Sequence, residues 1–374
     1  SVLPPSSLID QFIDYVARGM NEDADSLRKK WINIHPLHGF SSQYDGTRYI
    51  SYLNDELFQS TQPYSGDQSK VPVFDFSEIN LKQLVSFMEN PPKLFLNKAM
   101  NVYYHDEQAL LSEHEPFEMD SLQEWGLKSE LFERILYGEG FADEEAEKKL
   151  IQYLKQSGRI PLAGVGKIYY ESIREELKPY EIVFKDIVAG RKQTPVEITL
   201  PVDGSVLKGK INNFYEDVLV YVCDSSSVSK HLIRAWIPYL GLLASGYEAD
   251  FSFIYKKDGE LFVEQLEAGS ITAKEALAVL QKVTADYRYG HTDWFYFHPE
   301  FARENMKNIQ VDYPEFIAWF EEKMESEYEY RLKDIYLMKA AENGFFAEEN
   351  FESLRQNVID FMTPLQTNFP TLFE

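Results

Sequence analysis

Hydrophobic and polar residues alternate with a period of two through the middle of the chain, from residue 180 to residue 266. This period predicts strands, because successive side chains of a strand point to opposite faces of a sheet. We assign six strands, at residues 181–185, 196–200, 206–212, 217–223, 250–256 and 260–266. The last two are separated by Asp258 and Gly259, a pair that is typical of a tight hairpin turn.

The period changes to that of a helix within this stretch. Leu232, Trp236, Leu240 and Leu243 recur three or four residues apart, which predicts a helix over residues 231–245 that Gly246 ends. Residues 224–227 supply the turn before it and a hydroxyl to cap it. The strand at residues 217–223 is almost continuously apolar, as a strand buried on both faces is. This strand and this helix are the predicted centre of the core.

Two strands followed by a helix that packs back on the sheet are also the core of restriction-endonuclease-like, or PD-(D/E)xK, nucleases. These enzymes need an Asp at the end of one strand and a carboxylate with a Lys on the next, which together hold Mg²⁺ and a water. This chain has Asn212 at the first position, and Tyr221 and Cys223 at the others. An amide, a phenol and a thiol are poor ligands for a hard cation. The sequence therefore predicts this fold with no catalytic residues, no metal and no cofactor.

Helices are predicted on both sides of the sheet core. Before it they cover residues 77–89 with Ser77 as the cap, 93–100, 129–137, 143–157 and 168–177, with a turn over residues 115–126. After it they cover residues 272–286 with Ser270 as the cap, then a tail that ends near residue 362. Residues 294–299 are a buried aromatic strand or turn. The predicted class is α+β or α/β, with a helical block before the sheet and helices after it.

A polar stretch with Pro and Gly at residues 61–71 marks a domain boundary. We expect residues 1–69 to be an arm or linker and residues 70–374 to be one domain. Within that domain, residues 70–179 form the helical block, residues 180–300 the mixed sheet core, and residues 301–374 the helical tail. The chain begins with Ser1 and not Met, which suggests a fragment of a longer protein.

Two patterns suggest chemistry that their surroundings do not support. His35 and His38 invite a metal interpretation, but Pro36 breaks any helix between them and no Cys or further His lies nearby. Residues 161–168 resemble a phosphate-binding loop, but Pro161 replaces the first Gly, and Ile168 replaces the Ser or Thr that holds Mg²⁺. We predict packing and turn roles for both.

The distribution of charge narrows where nucleic acid would bind. The formal net charge is −24, so phosphates are repelled over most of the surface. Residues 299–374 contain 16 Asp and Glu against 7 Lys and Arg, whereas residues 155–234 contain 10 against 12. Only the middle stretch has a positive balance. Its candidate nucleic-acid-binding residues are Lys167, Arg191, Lys192, Lys208 and Lys210.

Composition excludes several other classes of protein. Aromatic residues make up 15% of the chain, far more than an unfolded chain carries, so a globular domain is expected. One cysteine, Cys223, excludes a disulfide framework and suits a reducing cytoplasm. No apolar run approaches the length of a membrane span, so no membrane partner is expected.

Five local motifs occur in an order that resembles one known family. They are HPLHGFSSQY at residues 35–44, ENPPKLFL at 89–96, EPFE at 115–118, GRIPLAGVG at 158–166 and HLIRAWI at 231–237. Together they resemble the carboxy-terminal region of the RecC family, the gamma subunits of exodeoxyribonuclease V. The likeness runs through essentially the whole chain.

This resemblance implies a non-catalytic subunit of an ATP-dependent helicase and nuclease that repairs double-strand breaks by homologous recombination. Such subunits are similar in fold to helicases and nucleases but have lost the active sites. They work with RecB and RecD subunits on duplex forks and single strands of DNA. Residues 1–69 would then lead from an upstream helicase-like part. No residue that the family uses to read the Chi sequence is carried over to this chain.

Two alternatives remain open at this stage. The first is an active nuclease of the same fold with displaced ligands, where Asp203, Glu197 or Asp217 supplies carboxylates and Lys208 or Lys210 the ammonium. The second is a docking module without DNA contact, which the net charge favours. Mg²⁺-dependent degradation of DNA would identify the first, and salt-independent behaviour towards forked DNA the second.

Overall fold

The computed structural model describes residues 7–32, 74–104, 119, 121–137, 144–225, 227–257, 259–302, 309–325 and 334–373. The chain divides into two compact units, Ser1–Lys70 and Val71–Glu374. In the described part of the first unit, helices α1 (Ser7–Met20) and α2 (Ala24–Trp31) pack through Ile13, Ala17 and Leu27. Arg28 of α2 forms ion pairs with Asp10 at 2.9 Å and Asp14 at 2.7 Å, which fixes the two helices against each other.

The second unit is a mixed α/β domain built on short sheets. Its strands are β1 (Glu78–Asn80), β2 (Val196–Val202), β3 (Ser205–Ile211), β4 (Phe214–Tyr215), β5 (Val218–Val222), β6 (Asp250–Lys257) and β7 (Glu260–Leu266). They form one sheet of order β1-β3-β2 and a second of order β4-β5-β6-β7. The pairs β1/β3 and β5/β6 are parallel, and the other pairs are antiparallel.

The strands predicted at residues 206–212 and 217–223 exist, but they belong to different sheets. The chain leaves β3 at Ile211, passes through Asn212 and Asn213, and enters β4, which pairs with β5. The side chain of Asn213 donates to the carbonyl of Val220 at 2.7 Å, and the amide of Val220 donates to the carbonyl of Asn213 at 3.1 Å. Asn212 therefore lies at the junction where the chain moves from one sheet to the other.

Helices surround these sheets. They are α3 (Leu81–Glu89), α4 (Pro91–Lys98), α5 (Ser121–Tyr137), α6 (Glu144–Gln156), α7 (Ala163–Ile187), α8 (Val228–Ala244), α9 (Ala273–Tyr289), α10 (Pro299–Ala302), α11 (Tyr313–Glu325), α12 (Ile335–Glu342), α13 (Glu348–Asn368) and a 3-10 helix, Pro370–Phe373. Helix α8 connects the parallel strands β5 and β6, as a crossover helix does. Among the described residues, no helix is both long and apolar enough to cross a membrane.

The two faces of strand β5 lie in two different hydrophobic cores. Leu219 and Cys223 pack with α8 and α9, and Val218, Val220 and Val222 pack with α5 and α7. Four of the five residues of β5 are buried, which confirms the prediction of a strand buried on both faces. Trp236 of α8 is 1% exposed and contacts Tyr239, Phe251 and Phe369.

The predicted strand at residues 181–185 is wrong, because this segment is the last part of α7. Leu177, Tyr180 and Phe184 are buried at helical spacing, whereas Ile182 is 62% exposed. The alternation seen in the sequence is therefore the pattern of an amphipathic helix read over too short a window. Pro179 lies inside the helix, so it does not end the segment that was predicted to stop at residue 177.

The predicted helix caps at Ser77 and Ser270 are also wrong. Asn80 caps α3, with Gln83 reaching back to it, and Thr272 caps α9 with Glu275 in the same way. Ser227 is the first capping position of α8 but makes no cap, because its hydroxyl donates to Glu300. In each case a residue nearer to the first apolar turn supplies the cap, or a tertiary partner takes the hydroxyl.

Of the remaining predictions, the hairpin between β6 and β7 is confirmed and the turn at residues 122–126 is wrong. Residues 122–126, predicted as a turn, are the start of α5, and the glycines at 164 and 166 lie in the first turn of α7. A Cβ at Gly166 would lie 2.0 Å from the carbonyl oxygen of Pro161, so only Gly fits there. The hairpin between β6 and β7 is confirmed, with Gly259 at φ +87°. Residues 294–298 are partly buried aromatic chain without a strand.

Some predictions concern residues outside the described ranges. These are the pair His35 and His38, the motifs at residues 35–44 and 115–118, the polar boundary at 61–71, and Asp258 of the hairpin turn.

Candidate nucleic-acid interface

Three of the five candidate cations are engaged in ion pairs. Lys167 on α7 lies 3.3 Å from Glu171, Arg191 before β2 lies 2.5 Å from Asp217, and Lys208 on β3 lies 2.5 Å from Glu78. Arg191 also donates to the carbonyl of Ile187 at 2.8 Å, and its hydrogen bond lowers the pKa of Asp217. These cations are partly neutralised before any ligand arrives.

Lys192 and Lys210 differ from these three. Both are exposed, and neither forms an ion pair with any residue in the described ranges. Lys208 and Lys210 project from one face of β3, as predicted, because Leu207 and Ile211 of the same strand are buried. The five residues do not converge on one site, because Lys167 lies on helix α7, which packs in one hydrophobic core, and Lys208 and Lys210 lie on β3, which packs in the other.

Arg234 lies in the same pocket as Lys210, and no pattern in the sequence marks it as a binding residue. Arg234 of α8 and Lys82 of α3 line the same pocket as Lys210, together with Glu89. The Nε of Arg234 donates to Oε1 of Glu89. Burial is the largest single influence and lowers the pKa of Arg234, but the hydrogen bond and charge of Glu89, together with Tyr221, raise this pKa above its usual value. Contacts between residues 145 positions apart carry no signal in a single sequence.

Asn212, Tyr221 and Cys223, which the sequence predicts to stand where nuclease ligands would be, have structural roles. Asn212 is exposed, and its carbonyl oxygen accepts a hydrogen bond from Gln193 at 2.7 Å. The ring of Tyr221 stacks on Phe253 with centroids 5.8 Å apart. Cys223 is 0% exposed, and its backbone amide donates to Ile254 of the neighbouring strand at 2.7 Å. Tyr221 and Cys223 are therefore packed residues of the core around α8.

The hydroxyl of Tyr221 lies 3.1 Å from Nδ1 of His231, on the helix that follows β5. Burial lowers the pKa of His231 to about 4, with help from the charges of Arg234 and Lys230. The ring is thus neutral at pH 7, and its Nδ1 can accept a hydrogen bond from the hydroxyl of Tyr221. The resulting contact ties β5 to α8.

Asp224 is a partly buried carboxylate that no sequence pattern marks as a functional residue, because it lies just after the strand predicted at residues 217–223. Asp224 comes directly after Cys223 and forms an ion pair with Lys128 of α5 at 2.9 Å. Lys128 also lies 2.7 Å from Glu176 of α7. Burial raises the pKa of Asp224, against the effect of Lys128. This network links α5, α7 and the residues after β5. The charge of Lys128 offsets part of the negative charge of Asp224 and Glu176.

Two of the three carboxylates proposed for a displaced nuclease site, Asp203 and Asp217, lie at opposite ends of β3, whereas Glu197 lies opposite Lys210 in the neighbouring strand. Asp203 lies in the β2–β3 turn with φ +46°, and Oδ1 of Asp203 accepts from Gln281 at 3.0 Å. Asp217 lies beyond the far end of β3, which spans roughly 20 Å at the usual rise per residue. Among the described residues, no three His, Cys, Asp or Glu side chains are grouped so that they could hold a metal.

The match to a family model and the matches to individual proteins indicate the same family. The model of the RecC C-terminal domain matches residues 76–310. Three proteins named RecBCD enzyme subunit RecC are similar to the chain. That of Haemophilus influenzae is 27% identical over 310 residues, covering 76% of this chain and 25% of that protein. That of Escherichia coli is 22% identical over 300 residues, covering 76% and 26%. That of Mycolicibacterium smegmatis is 26% identical over 196 residues, covering 49% and 17%.

The chain spans about a quarter of the length of the first two of these relatives. The matched residues include both sheets, α8 and the pocket lined by Lys82, Lys210 and Arg234. Since the family model covers more than half of the chain, the chain belongs to the RecC family, in the part that forms the RecC C-terminal domain.

Proposed function

We propose that this chain is a non-catalytic part of a RecC subunit in an ATP-dependent helicase and nuclease that repairs double-strand breaks by homologous recombination. Its role is to bind partner subunits and DNA during strand separation. The partners are RecB and RecD subunits, together with duplex forks and single strands of DNA. The relatives named RecBCD enzyme subunit RecC support this assignment, and a cytoplasmic location follows from it.

The packing of Cys223 is the main support for the proposal that this chain has no catalytic site. Its side chain is fully buried against the α8 core, and Tyr221 beside it is stacked on Phe253. A water and a hard cation need carboxylates that solvent can reach, so these two positions are unsuited to a nuclease centre. The separation of Asp203 from Asp217 along β3 speaks against the alternative in which displaced carboxylates rebuild one.

The order of elements supports a degenerate restriction-endonuclease-like core. The strands β2, β3 and β5 are followed by α8 and then by β6, which lies parallel to β5. Strand β5 thus feeds α8, which returns the chain to the same sheet at β6, whereas β2 and β3 pair in the other sheet. We also propose that residues 1–69 lead from an upstream helicase-like part. In this proposal residues 70–374 are one domain, with a helical block at 70–179, a sheet core at 180–300 and a helical tail at 301–374.

The nucleic-acid contacts are proposed as a group and not residue by residue. Lys192, Lys208 and Lys210 lie on or beside β2 and β3, and Lys208 is paired there with Glu78. Arg191 is satisfied by Asp217 and the carbonyl of Ile187, and Lys167 lies apart on α7 beside Glu171. Phosphate contacts by such cations would add affinity without sequence preference.

The test uses the complete subunit that contains this chain, assembled with its RecB and RecD partners. Binding of a forked duplex is measured across a salt series for the wild type and for the triple variant Lys192→Glu, Lys208→Glu and Lys210→Glu. A matched control reverses three exposed lysines elsewhere: Lys178, Lys256 and Lys274. Each lysine–phosphate interaction that the triple variant removes should lower the salt slope by roughly one unit. Equal slopes for the triple variant and the control would remove this surface from the DNA path.

A second candidate function is a docking module that does not touch DNA. The ion pairs of Lys167, Arg191 and Lys208 favour it, because three of the five candidate cations already have acidic partners. In that case the complex would assemble normally and all variants would bind the fork with wild-type affinity.

A further inference from the structure

A pocket of about 300 Å³ lies between α3, α8 and the end of β3. Three cations from these three elements line it, namely Lys82, Arg234 and Lys210. Ser86 and Glu89 add polar side chains, and the apolar residues Leu81, Val85 and Pro238 form the rest of its wall. The pocket therefore gathers charges that are far apart in sequence, at residues 82, 210 and 234.

Two glycines let these elements approach so closely. A Cβ on Gly209 of β3 would lie 2.7 Å from Cβ of Leu81, the first residue of α3. A Cβ on Gly241 of α8 would lie 2.8 Å from Ile198 of β2 and 3.6 Å from Leu81. The first turn of α3 is therefore seated directly on β3 and beside α8. This contact places Lys82, next to Leu81, near Lys210, which is next to Gly209.

The charge of the pocket is positive after its internal pairing is counted. Arg234 donates its Nε to Glu89, the carboxylate in the wall, and this bond fixes the orientation of the guanidinium. The described residues provide no ion pair for Lys82 or Lys210. Glu197 is the cross-strand partner of Lys210 on β2, but the two side chains form no ion pair. Within the described part of the chain, two lysine charges thus remain uncompensated in the pocket, in a protein whose net charge is −24.

The backbone at the start of α3 does not account for this site. The amide of Lys82 donates to the side chain of its cap, Asn80, at 2.9 Å, and the Asn80 amide donates to Gln83 at 2.7 Å. These amides are therefore unable to bind a ligand. The side chains of Lys82, Arg234 and Lys210, with the hydroxyl of Ser86, are the groups that remain.

We propose that this pocket binds a phosphate group, with Arg234 as an oriented donor and Lys82 and Lys210 as flexible charges that close around it. Guanidinium and ammonium groups suit phosphate, because Arg matches the geometry of its oxygens and Lys supplies point charge. The phosphate is either part of a DNA strand or a small phosphate-bearing molecule. The first source rests on the proposed function, whereas the second does not.

The test compares two probes on the 374-residue chain: inorganic phosphate, by isothermal titration calorimetry, and a fluorescein-labelled single-stranded oligothymidine, by anisotropy. The pocket variant is Lys82→Glu with Lys210→Glu. Its matched control, Lys256→Glu with Lys274→Glu, makes the same change of charge on β6 and α9, away from the pocket. All four lysines are exposed, so both variants should keep the wild-type melting temperature.

A third variant reverses the sign of the expected effect. Glu89→Gln removes the negative charge in the wall but keeps an oxygen that can accept from Arg234. It should tighten phosphate binding several-fold, whereas the pocket variant should weaken it about tenfold or more and the control should change it less than twofold. A structural role for the lysines alone would not produce opposite effects from Glu89→Gln and the pocket variant.

The outcomes separate this proposal from the proposed function. Binding of oligothymidine that phosphate displaces, and that only the pocket variant abolishes, supports a DNA strand as the source. Phosphate binding without oligothymidine binding supports a small molecule as the source. If neither probe responds to the pocket variant more than to the control, the phosphate site is overturned. That result leaves the proposed function standing if the fork still loses salt-dependent affinity in the Lys192, Lys208 and Lys210 variant of the assembled complex.

Discussion

The hydroxyl of Tyr221 on β5 lies 3.1 Å from Nδ1 of His231 on α8. The contact joins the strand and the helix that the sequence predicts as the centre of the core. Because burial keeps the pKa of His231 at about 4, the ring is neutral at pH 7 and the hydrogen bond is between uncharged groups. Tyr221, which is predicted to stand where a nuclease ligand would be, contributes to packing here.

Removing this hydroxyl should lower stability without affecting the fold. Tyr221→Phe keeps the stacking on Phe253 but leaves His231 without this hydrogen bond. The free energy of unfolding should fall by about 1 kcal/mol, the usual net value of such a bond. Urea unfolding at pH 7 measures it, with Tyr153→Phe as the control, since Tyr153 is 52% exposed. Equal stability in the two variants would show that the contact contributes nothing.

Trp236 should be a structural anchor and not a platform for stacking bases. Its side chain is 1% exposed among Tyr239, Phe251 and Phe369. Trp236→Ala should cost about 3–5 kcal/mol and leave much of the protein unfolded or aggregated. The control Trp31→Ala removes a ring that is 45% exposed and should cost far less. A folded Trp236→Ala protein that has lost only its affinity for DNA would contradict this assignment.

Gly209 should be intolerant of a side chain, because α3 rests on it. In Gly209→Ala the new Cβ would meet Cβ of Leu81 at 2.7 Å, and backbone must move to relieve the clash. We expect a loss of about 1–3 kcal/mol. Gly126 lies inside α5 with no atom within 4 Å of a new Cβ, so Gly126→Ala should instead stabilise by up to about 1 kcal/mol. Thermal unfolding of both variants checks the difference in sign.

Stability should fall as the pH drops below 6.5, partly because of His298. Burial lowers the pKa of this fully buried ring from 6.5 to about 3, and its Nε2 has no hydrogen-bond partner among the described residues. Between pH 6.5 and pH 3 the unfolded chain binds a proton that the folded chain excludes. Acid therefore favours unfolding in this window, by up to about 1.4 kcal/mol per pH unit for one proton.

The contribution of His298 can be isolated by substitution. His298→Phe should flatten the loss of stability between pH 7 and pH 5, measured as urea midpoints, whatever its effect at pH 7. Some slope should persist, because His231 also has a lowered pKa. An unchanged slope in His298→Phe would mean that the ring is protonated in the folded protein.

The sheet core was largely predictable from sequence because its signals are local. Val196–Val202 and Ser205–Ile211 alternate clearly, and β5 is continuously apolar. The strand predicted at residues 181–185 is wrong because five residues fit either period. The long helix α7 is stabilised there by the burial of Tyr180 and Phe184, which is a tertiary effect.

The candidate site was predictable only in part, for the same physical reason. The exposure of Lys208 and Lys210 follows from strand alternation, and the structure agrees. The partner of Lys208 is Glu78, 130 residues away, and the neighbours of Lys210 come from α3 and α8. Ion pairs and pockets of this kind depend on the packed fold. Counting charges along the chain therefore identifies the positive stretch at residues 155–234 but not which of its cations lie together in a pocket.

The central claim is that this RecC C-terminal domain has no nuclease centre of its own. The most direct test incubates the purified chain, in excess, with end-labelled linear duplex and single-stranded DNA in Mg²⁺ and in Mn²⁺. We expect intact substrate in every reaction, because Tyr221 and Cys223 are packed in the core and Asp203 and Asp217 lie far apart. Degradation by the wild-type chain that disappears in Asp203→Ala or Asp217→Ala would contradict it.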